Sequence, residues 1–312
     1  MKKYGFGVDI GGTTCKMGLF ETTGVLVEKW EIPTRKENNG ENVLPDVAAS
    51  IENKLSEKKI GREEVQGVGI GVPGPVTSEG IVQCCVNLGW GVVNVAEDME
   101  RRTGFKIKVG NDANVAALGE MWQGGGKGHR NVVMVTLGTG VGGGIIVDGK
   151  IVAGSNGAGG EIGHIMVDET ETETCGCGKR GCLEQYASAT GVVRLAKRKL
   201  ASTEEDTALR KYQHISAKNV FDEAKAKDRI AGEVVEQMAD ILGTALAGIA
   251  CVVDPEVFVI GGGVSKAGNI VTDSVKKYFM EKTFHACKNA EFALAKLGND
   301  AGMYGCVQMI LE

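Results

Sequence analysis

The chain has 312 residues, 43% of them hydrophobic and 24% charged, with a formal net charge of -5. That length and apolar share predict a globular protein with two separately packed cores. No apolar run reaches membrane length and no Lys/Arg run offers nucleic acid an electrostatic footprint, so neither a membrane nor a nucleic-acid partner is expected. The start, MKKYGFGVDIGGTT, passes directly into a Gly-rich strand and turn without an apolar h-region or cleavage site, which predicts a cytoplasmic location. Nine cysteines with no even framework agree with reduced thiols. The 47 glycines against five prolines point to tight turns and close backbone approaches, as phosphate sites need.

From Tyr4 the residues read as strand, Gly-rich turn, strand, turn and strand, a three-strand meander ending near Ile32. Asp9 closes the first strand, and the backbone N–H groups and hydroxyls of Gly11, Gly12, Thr13 and Thr14 are placed to wrap phosphate oxygens. A carboxylate beside a phosphate repels it unless a cation intervenes. Asp9 is therefore a candidate for holding Mg2+, directly or through water, and capping the strand-end turn is its competing role. Residues 42–58 read as a helix on the spacing of Val47, Ile51 and Leu55, and VQGVGIGVPG as a buried strand. A loop holding Asn87 follows, then a helix at 95–103, the strand KIKVG, and the run Asn111, Asp112, Ala113, Asn114 opening another helix. An amide and a carboxylate at a strand's carboxyl end are where open α/β sheets place their ligand chemistry, and helix N-cap is the plain role for Asp112; the two are compatible.

The segment GGGKG at 124–128 breaks the chain near an expected domain boundary. Beyond it NVVMVTL, the turn GTGVGGG and the strands IIVDG and KIVAG repeat the order of the amino terminus, so that Gly138, Thr139 and Gly140 form a second phosphate hairpin. Two formal G-x-G-x-x-G matches, at 69–74 and 138–143, fail as dinucleotide sites. The first is interrupted by Pro73 and Pro75, and the second runs into a strand. Residues 185–199 read as a helix, 202–213 carry no clear pattern, Ser216 caps a helix to about 227, and 228–253 form a long core helix. PEVFVIGGGVS is a strand entering Gly261, Gly262 and Gly263 at a helix start, where bare backbone can admit a flat base or a phosphate. A helix at 265–282, a strand EFALAKL and a helix from Ala301 close the chain.

The segment from Gly157 to Glu184 holds the densest chemistry. Cys175, Cys177 and Cys182 lie in a C-x-C-x4-C pattern with glycines between them, and His164 upstream completes a Cys3His set suited to a structural Zn2+. A disulfide loop or three unrelated thiols is the competing reading, disfavoured by the close spacing in a chain with no secretory segment. With one ring nitrogen on the metal, the other must carry the proton, so His164 is expected to donate to a substrate hydroxyl beside Glu161 and Glu184, which suit a polyol.

Asp9-Ile10-Gly11-Gly12-Thr13, Asn111-Asp112, LGTGVGGG, Glu161-x-Gly163-His164 and C-x-C-G-x-x-G-C-x-E, in order over nearly the whole chain, resemble the ROK family of bacterial sugar kinases and repressors, and within it the glucokinases of Gram-positive bacteria. The resemblance implies an α/β, actin-like, duplicated ribonuclease-H-like fold with an interdomain cleft. The expected division is a smaller domain at 1–115, completed by a helix at 301–312, and a larger one at 116–300. It implies ATP with Mg2+, phosphorylation of the 6-hydroxyl of glucose, and a homodimer or homotetramer. It makes Asp112 the catalytic base; Asn87, Asn111, Glu161, His164 and Glu184 sugar ligands; His164, Cys175, Cys177 and Cys182 zinc ligands; and the turns at 11–14, 138–140 and 261–263 the nucleotide site. Another hexose or an N-acetylhexosamine, such as fructose, allose or N-acetylmannosamine, is the alternative substrate. A non-catalytic sugar-binding regulator is the alternative class, disfavoured because the eight residues before Asp9 leave no room for a helix-turn-helix.

Overall fold

The computed structural model describes residues 2–311, which divide into two compact units: 2–130 with Gly144–Gly160 and 296–311, and Asn131–Gly143 with Glu161–Ala295. The first unit is built on strands β1 (Tyr4–Ile10), β2 (Thr14–Glu21), β3 (Leu26–Pro33), β4 (Val65–Val72) and β7 (Ile107–Asn111), in the order β3-β2-β1-β4-β7. The short strands β5 (Ile81–Val82) and β6 (Val93–Asn94) pair in the loop between β4 and β7. β1, β2 and β3 form the antiparallel meander expected from their alternation, and β4 and β7 add in parallel. The helix Val43–Lys58 buries Val47, Ile51 and Leu55 in the core that also holds Phe6, Val8 and Ile70, as its spacing dictates.

The helix Ala301–Leu311 crosses this sheet at contact distance because the sheet offers it glycine. A Cβ on Gly69 would stand 1.8 Å from the Cys306 carbonyl oxygen. The same helix packs on the helix Asp112–Gln123, where a Cβ on Gly305 would stand 1.6 Å from Val115 O. This packing carries residues 116–130 into the first unit, where the sequence places a boundary after residue 115. Residues 144–160 and 296–300 join it as well.

The second sheet runs β10-β9-β8-β11-β12, with β8 (Val132–Leu137), β9 (Val141–Val147), β10 (Lys150–Ile151), β11 (Val257–Gly261) and β12 (Glu291–Leu294); the unit boundary falls within β9, after Gly143. β11 is parallel to both β8 and β12. Two sheets of one order, each a hairpin plus parallel strands, make an α/β protein of actin-like, duplicated design. The helix Arg229–Val253 is long and apolar enough to cross a membrane by composition, and Ile230, Val234, Met238, Leu242 and Leu246 are buried within its unit.

Three expected elements differ. The helix read over 185–199 is two, Glu184–Ala187 and Ala189–Ala201, because Ser188 is extended and caps the second by accepting from Gly191 N. The helix read over 265–282 is Gly262–Ser265 and Asn269–Lys282, separated where Gly268 takes φ +81°. The N-cap of Asp112–Gln123 is Asn111, not Asp112. The unpatterned stretch 202–213 holds a short 3-10 turn, Ala208–Lys211, anchored where Asp228 accepts from Thr207 Oγ1 and Ala208 N.

Candidate active site

In the first unit, β1 delivers Asp9 to the start of the Gly11–Thr14 turn. Its neighbour across β2 is Lys16, and on the other side it pairs with Gly71 of β4. Burial pushes the Asp9 carboxyl up to about 6; Lys16 opposes the shift and the negative charge of Asp112 adds to it. A carboxylate that its own surroundings disfavour as an anion, at the mouth of a glycine turn, has the chemistry of a cation seat. The turn closes through Gly11 N donating to Thr14 O at 3.0 Å, and Asn87 comes to its edge, 3.8 Å from an ideal Cβ on Gly12.

Asn111 ends β7 in extended conformation, and its Oδ1 accepts from Ala113 N (3.0 Å) and Asn114 N (3.2 Å). Its Nδ2 donates to Gly74 O at 3.1 Å, which leaves one amide hydrogen for a ligand. Asp112 is the first helical residue, exposed, with Oδ1 accepting from Ala113 N at 2.9 Å. The amide thus fixes the helix start and the carboxylate stands on it.

In the second unit the turn Gly138–Gly140 closes through Gly138 N donating to Gly140 O at 3.0 Å. A cavity of about 780 Å3 lies against it, lined by Thr139, Thr190, Arg194 and Lys197 among others. An adjoining one of about 350 Å3 shares Ala189, Ser216 and Ala217 with the first and is walled by Phe221, Gly263 and Val264. A mostly apolar recess leading to a glycine turn suits a base and its phosphates. Of the third glycine run, Gly263 reaches this recess, whereas Gly261 is the helix N-cap and Gly262 takes φ +82° against the backbone of Leu137.

The metal-ligand pattern assembles. The ligand atoms of His164, Cys175, Cys177 and Cys182 all lie within 4.8 Å of one another. Cys177 Sγ is 3.6 Å from Cys182 Sγ and Cys175 Sγ is 3.9 Å from His164 Nδ1. The edge of a tetrahedron with ~2.3 Å metal–sulfur bonds is ~3.8 Å, so the donor set fits a four-coordinate ion. Burial pushes the Cys175 thiol up to about 12 and raises Cys182, so the protein alone does not make thiolates of them; a bound cation would. His164 Nε2 faces the other way, 3.9 Å from Glu161 Oε2, and Glu184 Oε1 accepts from the Cys175 thiol at 3.0 Å. One histidine therefore has a metal side and a carboxylate side.

Sequence reasoning missed what holds this loop. Glu171, with a side chain 1% exposed, accepts from Arg198 (2.9 and 3.0 Å) and from the Tyr186 hydroxyl (2.6 Å), and pairs with Arg194 at 2.9 Å. The Arg198 hydrogen bonds hold its carboxyl well below the usual range against the cost of burial. The visible signal was the pair Arg194 and Arg198, four apart on one helix face, facing an acidic loop.

The ROK family profile matches residues 5–312. The chain is 43% identical over 304 residues to a glucokinase of Halalkalibacterium halodurans, covering 96% of this chain and 92% of that one, and 37% identical to a glucokinase of Thermotoga maritima, covering 98% and 96%. A ROK family glucokinase from Streptomyces griseus, solved in complex with glucose and AMPPNP, superposes with a TM-score of 0.73 at 33% identity over 98% of each chain.

Proposed function

The chain belongs to the ROK family, and we infer that it is an ATP-dependent sugar kinase that transfers the terminal phosphoryl group of ATP to the 6-hydroxyl of glucose. The observation that carries this reading is the coexistence of two glycine turns, each at the tip of a β-hairpin, with an exposed carboxylate at a strand end and a polyol-ready cluster of Glu161, His164 and Glu184. Phosphoryl transfer requires positioning and charge neutralisation more than covalent chemistry.

In this reading Asp112 takes the proton of the attacking hydroxyl. Its place at N1 of a capped helix keeps the carboxylate on a rigid element, and the N-terminal helix dipole favours the anion until the proton is transferred. Asn111 gives its remaining amide hydrogen to the sugar, Asn87 borders it, and Glu161 and Glu184 accept from its hydroxyls. His164 donates from Nε2, the ring face turned to Glu161. His164, Cys175, Cys177 and Cys182 would hold Zn2+, which would supply rigidity and fix the histidine tautomer. Asp9 would hold Mg2+, directly or through water, to neutralise charge on the donor phosphates. Gly11, Gly12, Thr13 and Thr14 of the first unit and Gly138, Thr139 and Gly140 of the second bind phosphate oxygens, with the base in the recess beside Gly263. A homodimer or homotetramer is the assembly this reading proposes.

The test is a coupled ADP-release assay with ATP and Mg2+ across glucose, mannose, fructose, N-acetylglucosamine and N-acetylmannosamine, on wild type and Asp112→Ala. Turnover strongest with glucose and lost in the variant establishes substrate and base. A stronger second sugar changes the substrate and keeps the mechanism, and no turnover on any of them removes the kinase reading.

A further inference from the structure

The two glycine turns are held by the same device. In the first, the Thr34 hydroxyl donates to Gly11 O at 2.7 Å and Thr34 N donates to Thr13 O at 2.9 Å. In the second, Ala189 N donates to Gly138 O at 2.7 Å and the Thr190 hydroxyl donates to Thr139 O at 2.7 Å. Each turn thus has two carbonyls captured from outside, one by a backbone N–H and one by a threonine hydroxyl. Neither threonine belongs to the turn it holds, and they come from unrelated elements: Thr34 follows β3, while Thr190 opens the helix Ala189–Ala201.

Capture of a carbonyl has a consequence on the other side of the peptide. The unit is planar and trans, so C=O and the following N–H point in opposite directions. Holding Gly11 O toward Thr34 turns Gly12 N–H away from it. Holding Gly138 O and Thr139 O toward the helix start turns Thr139 N–H and Gly140 N–H outward. None of these three N–H groups makes a backbone hydrogen bond among the described residues. They are the donors that a phosphate would need, already oriented.

The extended residue Ser188 makes the second clamp possible. A helix continuous from Glu184 would carry residues 189 and 190 onward in helical conformation, with Ala189 N directed to a carbonyl one turn back. The break frees Ala189 N for Gly138. Ser188 Oγ in turn donates to Glu184 O and lies 2.9 Å from Thr190 Oγ1, so one short junction locks the turn, the helix cap and the segment bearing Glu184.

We propose that Thr34 and Thr190 are positioning residues for phosphoryl-donor binding, each capturing a turn carbonyl with its hydroxyl and so aiming one outward N–H, that of Gly12 and that of Gly140 respectively, at the phosphates. This rests on the kinase reading for the identity of the donor, though not for the geometry. Neither residue touches the reacting atoms.

The experiment measures AMPPNP affinity in the presence of Mg2+ by calorimetry, and separately kcat, KM for ATP and KM for glucose, on wild type, Thr34→Val, Thr190→Val, Thr34→Ser and Thr190→Ser. Each valine variant is expected to weaken AMPPNP and raise KM for ATP about tenfold, the scale of one lost charge-assisted contact, with KM for glucose unchanged within about twofold. The serine variants keep the hydroxyl and should restore nucleotide affinity. Valine variants that match wild type in AMPPNP affinity overturn the proposal, as do serine variants as weak as valine, which would assign the effect to the methyl group's packing. Where Thr34→Val fails to fold, the exposed Thr190 decides the outcome. Wild type that binds AMPPNP without turning over any sugar removes the kinase reading and leaves this one to the affinity series. Wild type that binds no nucleotide removes both.

Discussion

The two sheets share a strand order and a hairpin, and the parallel neighbour of the first strand meets it in the same way in both: Asp9 of β1 pairs with Gly71, and Thr136 of β8 pairs with Gly261. Both residues are next to last in their strand and stand before a glycine turn. One is a carboxylate raised to about 6 and the other a neutral hydroxyl. The final strands differ likewise, since β7 runs into Asn111 and Asp112, whereas β12 runs into Ala295 and Lys296. The scaffold is duplicated and the charge is not. In the proposed reading the acid–base and cation chemistry falls to the first of two alike turns and the second is a neutral cradle, with the Cys/His loop inserted between β10 and β11 of the second sheet.

The largest effect that could break this asymmetry is removal of the proposed base. Asp112→Asn should lower kcat by about 10^2- to 10^4-fold with little change in either KM, since in the proposed mechanism the residue acts on the transferred proton. Its melting temperature should stay near wild type, because the helix cap is Asn111. Full activity in steady-state assays of this variant would dissolve the distinction between the two strand ends. Next comes the metal loop. Cys182→Ser, or a chelator, should weaken glucose binding by about 10- to 100-fold through loss of the aim of His164 and Glu184, while AMPPNP affinity changes little. Metal content by atomic absorption, read beside both titrations, checks it; equal loss of both ligands would mean that the loop holds the unit rather than the sugar.

How much of this was legible follows from where the information lies. The meander, the Gly11–Thr14 and Gly138–Gly140 turns and the long helix Arg229–Val253 were readable because alternation, glycine runs and 3.6-residue spacing are local properties. The His164, Cys175, Cys177 and Cys182 set was readable because soft ligands close in sequence have few other uses. Thr34 and Thr190 were not, because nothing local distinguishes a threonine that captures a carbonyl from a solvated one. The break at Ser188 had a local signal in the weak helix formers Ser188, Thr190 and Gly191, which the apolar spacing around them masked, and tertiary bonding from Ala189 to Gly138 accompanies it. The extent of the first compact unit, which takes in residues 116–130 and 144–160, is not legible because the glycine contacts that bind residues 112–123 to 301–311 are long-range, and sequence shows only that small residues are present.

A smaller effect sharpens the comparison at the turns themselves. A Cβ on Gly140 would lie 2.5 Å from Glu184 Oε2, whereas on Gly12 the nearest atom is Asn87 Cβ at 3.8 Å. Gly140→Ala should therefore displace a carboxylate proposed to hold the sugar and raise KM for glucose about five- to tenfold. Gly12→Ala displaces no protein atom and should leave glucose KM unchanged. Equal glucose effects in the two variants would mean that Glu184 yields without consequence.

The last expected effect is on stability, and its sign distinguishes a cation seat from a structural carboxylate. Asp9 has its carboxyl raised from 3.8 to about 6, chiefly by burial. A raised carboxyl binds its proton more tightly folded than unfolded, so its contribution is most favourable below about pH 4 and is lost as pH rises from there through about 6. The ionised residue should then cost the nucleotide-free protein about 1–3 kcal/mol at neutral pH. Asp9→Asn removes the anion, so its melting temperature without nucleotide should exceed that of wild type at pH 7, with the gap narrowing toward pH 5. Adding Mg2+ and AMPPNP should close or reverse the gap, because only wild type gains a counter-ion for the buried charge. Asp9→Asn melting below wild type at neutral pH would place Asp9 among the residues that hold the hairpin together, and the two turns would then differ in structure rather than in charge.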